Sequence, residues 1–122
     1  LAERVKIGVK IAKEYADDED AFSKKIYDVI GAGVGIIESV PAAVSIAYYT
    51  QDPNKCCLMC ANLGGDTDTI GAMATAICGA FVGYSKINSE YTELLRVQNP
   101  ETDFEEYINI LEKGRELLGC GR

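Results

Sequence analysis

The sequence has no histidine. That removes a Ser-His-Asp or Cys-His catalytic unit from this chain, and any zinc site built on imidazole. Basic residues are scarce: 12 Lys plus Arg stand against 19 Asp plus Glu, for a net charge of −7. A nucleic-acid binder held by bulk electrostatics needs a basic face and is excluded. A small anionic ligand is not, because a bound cation or a helix N-terminus reverses the field locally. No period-2 strand of any length and no internal repeat is present. The longest uncharged run, Thr69 to Ser85, reaches only the low end of a membrane span. It is rich in Gly, Ala and Thr and starts at two carboxylates, so it reads as a buried helix and no membrane partner is expected. The first residues, LAERVKIGVK, lack a signal-peptide layout and an initial Met; a processed chain or a piece of something longer is expected. Five cysteines without regular spacing do not make a secreted disulfide framework, and a cytoplasmic, reducing setting is the expectation.

What the chain does have is enough apolar material for one modest core. Its 122 residues are 48% hydrophobic and 25% charged, an ordinary globular composition. The apolar pattern is helical. Leu1, Val5, Gly8, Ala12 and Tyr15 recur every three or four residues. Asp17-Asp18-Glu19-Asp20 reads as a solvated loop leading into the positive end of a second helix, marked by Phe22, Ile26, Val29 and Ile30 and ended by Gly31, Gly33 and Gly35. A third helix is expected from Ser39 to about Thr50, with Pro41 in its first turn. Asp52-Pro53 opens a fourth, which stops at Gly64-Gly65. A fifth runs from Thr69 to Gly83, and Phe104, Ile108, Leu111 and Leu118 mark a last one after the turn Asn99–Asp103. The fold class expected is all-α, a single helical domain or fragment over 1–122. On the fifth helix, Gly71, Thr75, Gly79 and Gly83 fall four apart. Small residues so spaced let another backbone approach closely, so this helix is expected to be the most buried, with that face against a neighbour.

Three segments invite chemistry. Cys57-Leu-Met-Cys60 is a CxxC, but no second pair and no His complete a zinc site, and Cys78 and Cys120 lie far away. Cysteines on a helix also serve as small apolar residues, and Cys56, Cys57 and Cys60 read as core. Ile26 to Gly35, IYDVIGAGVG, imitates a dinucleotide-binding turn with Asp52 as the ribose acid. Its third glycine would fall on Ile36, and no crossover helix fits before Ala43. The third segment is Asn62-Leu-Gly-Gly-Asp-Thr-Asp-Thr-Ile-Gly71. Asp66 and Asp68 with Thr67 and Thr69 offer only hard oxygens, which suit Mg²⁺, Mn²⁺ or Ca²⁺. An EF-hand is ruled out by Ile70 at a ligand position and by the lack of a closing Glu. Helix capping by Asp66 or Asp68 accounts for the same acids equally well.

The pieces GAGVGIIESVPAA, ANLGGDTDTIGAM and AICGAFVG, together spanning residues 30–83, resemble the C-terminal part of the ADP-ribosylglycohydrolase family, in its order and spacing. The Glu-Ser-Val-Pro piece is most similar to the branch with ADP-ribosylserine hydrolase; a likeness to the dinitrogenase-reductase-activating glycohydrolases belongs to the same resemblance. The resemblance implies an all-α bundle with two Mg²⁺ ions, Mn²⁺ being an alternative, that cleaves the bond between ADP-ribose and an acceptor. Carried over residue by residue, it makes Asp66, Asp68 and Thr69 metal ligands, Asp68 the bridge between the ions, and Asp66 and Asp68 the catalytic carboxylates. It also implies an N-terminal acid and a Thr-Asp-Asp motif, and neither is in this sequence. The expectation is therefore half of a metal site whose other half lies on an N-terminal portion absent here, with ADP-ribose or an ADP-ribosylated molecule as substrate. An apolar helix face left uncovered would favour self-association. The alternative is a helical module that kept the fold without catalysis, as in the family's crystallin-like relatives.

Overall fold

A computed structural model describes residues 1–119. Within them the chain forms seven α-helices and no strand, the all-α architecture expected. The first compact unit spans Leu1–Ile87 and the second begins at Asn88.

The first unit contains α1 (Ala2–Glu14), α2 (Glu19–Lys25), α3 (Ile36–Thr50), α4 (Pro53–Leu63) and α5 (Thr67–Val82). The acids before α2 act as capping chemistry requires: Asp18 Oδ1 accepts from the Ala21 N–H at 3.0 Å, with Glu19 and Asp20 in the first turn. A single π-helical turn, Ile26–Ile30, continues α2 and ends where the Gly31 N–H reaches back to the Ile26 carbonyl, at 3.1 Å. Gly31 then turns the chain at φ +87°, a conformation that favours glycine.

α3 begins at Ile36, not Ser39, so Pro41 lies inside the helix rather than in its first turn. There it forgoes one intrahelical bond. α3, packed on α1, α4 and α5, is the most enclosed element: Ser39, Pro41, Ala42, Ala43, Ser45, Ile46 and Ala47 are all buried. α1 crosses it closely because Gly8 faces Ser45, whose Oγ donates to the Pro41 carbonyl at 2.6 Å. Phe22, Ile26, Ile30, Ile46 and Ile70 fill the centre, and Phe22 stacks on Tyr49 with ring centroids 3.9 Å apart.

The expectation for α5 fails. Its buried ridge is Ile70, Ala74 and Cys78, one step around from the glycines. A Cβ at Gly71 would stand 3.4 Å from Cys60 Cβ, but one at Gly79 or Gly83 would meet nothing within 4 Å. Apolar side chains compete for the core by the area they remove from water, and a glycine ridge has little to remove. In α4 the buried stripe is Pro53, Cys56, Met59, Cys60 and Leu63. The core reading therefore holds for Cys56 and Cys60 and fails for Cys57, which is exposed. Hydrogen bonding to Cys60, then burial, pushes the Cys56 thiol far above the ordinary thiol range, so it stays protonated. Cys120 lies outside the described residues.

The second unit holds α6 (Ser89–Gln98) and α7 (Phe104–Leu117). α7 is the last helix expected, capped by Asp103 Oδ1 on the Glu106 N–H at 3.0 Å. α6 was not foreseen; Asn88 caps it through the Glu90 N–H at 2.9 Å. An ion pair, Arg96 to Glu105 at 3.1 Å, joins the two helices. No described helix is long and apolar enough to cross a membrane.

Candidate functional site

Two turns far apart in sequence meet at the start of α5. The first is Gly31–Gly35, between the π turn and α3. The second is Gly64–Asp66, between α4 and α5. Gly64 and Gly65 adopt φ +87° and +73°, which side-chain-bearing residues rarely do. Gly65 also abuts the Ala32 carbonyl so closely that no Cβ fits there. The next residue, Asp66, donates its backbone N–H to that same Ala32 carbonyl at 2.7 Å. The paired glycines thus answer two demands of the backbone, turning and close approach. The Tyr27 ring lies over Gly64, 3.3 Å from where a Cβ would stand.

The glycine turn is itself held at both ends. Arg4 Nη1 donates to the Ile30 carbonyl at 2.7 Å. Glu38 Oε2 accepts from the Gly33 N–H at 2.9 Å. In the sequence Glu38 stands only within the Glu-Ser-Val-Pro piece. The signal that could have found it is its place as third residue of α3, from which an acid reaches back over a helix start.

Asp66, Asp68 and Thr69 come together by adjacency on the first turn of α5. Asp66 is the N-cap residue and its carbonyl accepts from Ile70, yet its side chain makes no capping hydrogen bond. Half-buried Asp66 and exposed Asp68 put their carboxyls side by side. The Thr69 backbone N–H above all holds Asp68 below the ordinary carboxylate range. The helix N-terminus favours the ionised form as well. The donor set is wholly oxygen, negatively charged and open to solvent, which fits a hard divalent cation. It is not a complete centre: among the described residues no three His, Cys, Asp or Glu side chains gather closely enough to hold a metal. Glu38 is engaged by Gly33 and does not join the pair. An apolar groove of about 390 Å³, lined by Val44, Ala47, Tyr48, Gln51, Ile77, Cys78 and Phe81, lies toward the other ends of α3 and α5 and takes no part in this arrangement.

Comparison with known proteins adds lineage to this geometry. The chain is 48% identical over 117 residues to the uncharacterized protein YegU of Escherichia coli, covering 95% of this chain and 34% of that protein. It is 35% identical over 86 residues to the ADP-ribosylhydrolase ARH3 of Xenopus tropicalis, with 62% of this chain and 25% of the relative covered. With the ADP-ribosylarginine hydrolase Tri1 of Serratia proteamaculans it shares 30% identity over 96 residues, 68% of this chain and 26% of the relative. The chain thus spans about a quarter to a third of the length of these relatives. No solved structure matches. The glycine turn, the paired glycines and the acids they present fall inside one family match that runs from residue 2 to residue 118, and on that match the chain belongs to the ADP-ribosylglycohydrolase family.

Proposed function

We infer that this chain supplies the Asp-Thr-Asp-Thr portion of a hydrolase that cleaves the glycosidic bond between ADP-ribose and an acceptor. The observation that carries the reading is Asp66. It occupies the N-cap position of α5, but its carboxyl leaves the backbone N–H groups alone and stands beside Asp68. Capping, the competing explanation of these acids, does not account for it. Asp66, Asp68 and Thr69 would hold Mg²⁺ or Mn²⁺ through oxygen. Two such ions, when bound, supply Lewis acidity and a template for ribose hydroxyls and water. An ionised Asp66 or Asp68 can orient the attacking water or take its proton. The names of the ARH3 and Tri1 relatives support ADP-ribose as the group released, and the cysteine pattern fits a reducing, cytoplasmic setting.

Ligand counting favours a dependent chain. Mg²⁺ seeks about six oxygens in near-octahedral array, and two carboxylates with one hydroxyl leave two ions short of both oxygen and charge. The remaining ligands are assigned to a portion equivalent to the part of the relatives that this chain does not match. The same shortage favours, as second reading, a helical module without catalysis.

The experiment is a calorimetric Mg²⁺ titration of the 122-residue chain beside an ADP-ribose release assay, alone and mixed with the unmatched portion of the Escherichia coli relative. Weak binding and no release alone, with Mg²⁺-dependent release in the mixture, is the expected result. In that mixture Asp68→Ala should abolish release, while Lys86→Ala, exposed and distant from the acids, should not. Tight two-ion binding by the chain alone overturns the ligand count. A mixture that binds Mg²⁺ but never releases ADP-ribose establishes the non-catalytic reading.

A further inference from the structure

One peptide plane links Glu38 to Asp66. The N–H that Glu38 Oε2 accepts, at 2.9 Å, belongs to Gly33. The carbonyl of that same peptide unit is Ala32's, and it accepts the Asp66 N–H at 2.7 Å. A trans peptide is rigid, with N–H and C=O pointing in opposite directions. The carboxylate and the Asp66 backbone are therefore in line across it. A charged acceptor on the N–H side polarises the amide and strengthens its carbonyl as an acceptor. The carboxylate fits only because its neighbours lack side chains: a Cβ at Gly31 would lie 2.6 Å from Glu38 Cδ, and one at Gly33 2.8 Å from Oε2. Ala32, between those glycines, is buried, so its peptide has little freedom to reorient once both sides are bonded.

We propose that Glu38 is a positioning residue for Asp66, acting through the Ala32–Gly33 peptide: its carboxylate fixes and polarises that peptide, and the peptide's carbonyl sets the backbone from which the Asp66 carboxyl is presented. The consequence for metal rests on the function inferred above. The linkage itself rests on backbone geometry alone.

The test uses the full chain, labelled with ¹⁵N, as wild type, Glu38→Gln and Glu38→Ala. Gln keeps the length and an oxygen acceptor but loses the charge. The amide proton shifts of Gly33 and Asp66 should move together, slightly in Glu38→Gln and further in Glu38→Ala. Exchange of the Asp66 amide should rise by about tenfold in Glu38→Ala, the scale of one lost hydrogen bond, and less in Glu38→Gln. The α3 core amides of Ala42 and Ile46 should be unchanged. Broadening of the Thr67, Asp68 and Thr69 amides by added Mn²⁺ should require several-fold more Mn²⁺ in Glu38→Ala, with partial rescue by Gln. An Asp66 amide that stays put while Gly33 moves overturns the proposal. So does an Asp66 change that appears only with general loss of protection across α3. Should Glu38→Ala not fold, the isosteric Glu38→Gln decides by the paired shifts. Absence of any Mn²⁺ effect in the unsubstituted chain would count against the metal reading, and the paired shifts would still decide the role of Glu38.

Discussion

Asp52 and Asp66 occupy the same station on successive helices and do different things. Asp52 Oδ1 accepts from the Asn54 and Lys55 N–H groups, at 2.8 and 3.2 Å, and these bonds hold its carboxyl below the ordinary 3.8. Asp66 heads α5 without any such bond. A carboxyl whose folded pKa is depressed adds stability that is present above its unfolded value and lost as pH falls through the folded one. For Asp52 that window opens near 3.8 and runs downward. Asp52→Ala should therefore lower stability at neutral pH by about 1 kcal/mol, the usual scale for a lost N-cap. The gap from wild type should shrink as pH drops below 3.8, measured by urea unfolding at several pH values. A gap that is constant with pH would show that the Asp52 bonds contribute nothing through ionisation.

At the scale of elements, the legible features were those written in contiguous residues. Asp52-Pro53 and Gly64 bound α4 at both ends, and Asp66, Asp68 and Thr69 are neighbours wherever they fold. α6 escaped because its stripe is short and its cap, Asn88, follows a 3₁₀ turn at Tyr84–Lys86 rather than a glycine or proline break. The pairing of Asp66 with Ala32 and of Glu38 with Gly33 could not be read, since both depend on two turns meeting in space. Burial of α5 was misjudged because glycine spacing says where a backbone can approach, not whether one does. Two substitutions separate these cases. Gly8→Ala places a Cβ into Ser45, between α1 and α3, and should destabilise by about 1–3 kcal/mol through overpacking. Gly79→Ala meets open space within α5 and should stabilise by up to about 1 kcal/mol, because alanine is the better helix former. Chemical unfolding midpoints check both signs. Equal destabilisation by the two would mean that the Gly79 face is covered after all.

The whole molecule is acidic and leaves large apolar side chains in water in both units. Val34 is 84% and Phe81 72% exposed in the first, Leu111 72% and Leu117 81% in the second. Its relatives are roughly three to four times as long as the stretch it matches. Alone, the 122 residues weigh two opposing forces. Apolar faces favour association by removing area from water. The net charge of −7 opposes it by mutual repulsion between copies. Salt acts on these terms unequally. Between about 0.1 M and about 1 M the Debye length falls from about 10 Å to about 3 Å, which screens the repulsion. Kosmotropic salts also strengthen apolar burial. The isolated chain should therefore self-associate more strongly as sodium sulfate is raised, seen by sedimentation velocity at fixed protein concentration. If association runs through the apolar side chains, Phe81→Ser with Val34→Ser should weaken it at high salt and leave the helical circular-dichroism signal intact. A chain that stays monomeric across the salt range would show that these residues, exposed as they are, do not form a surface that seeks cover.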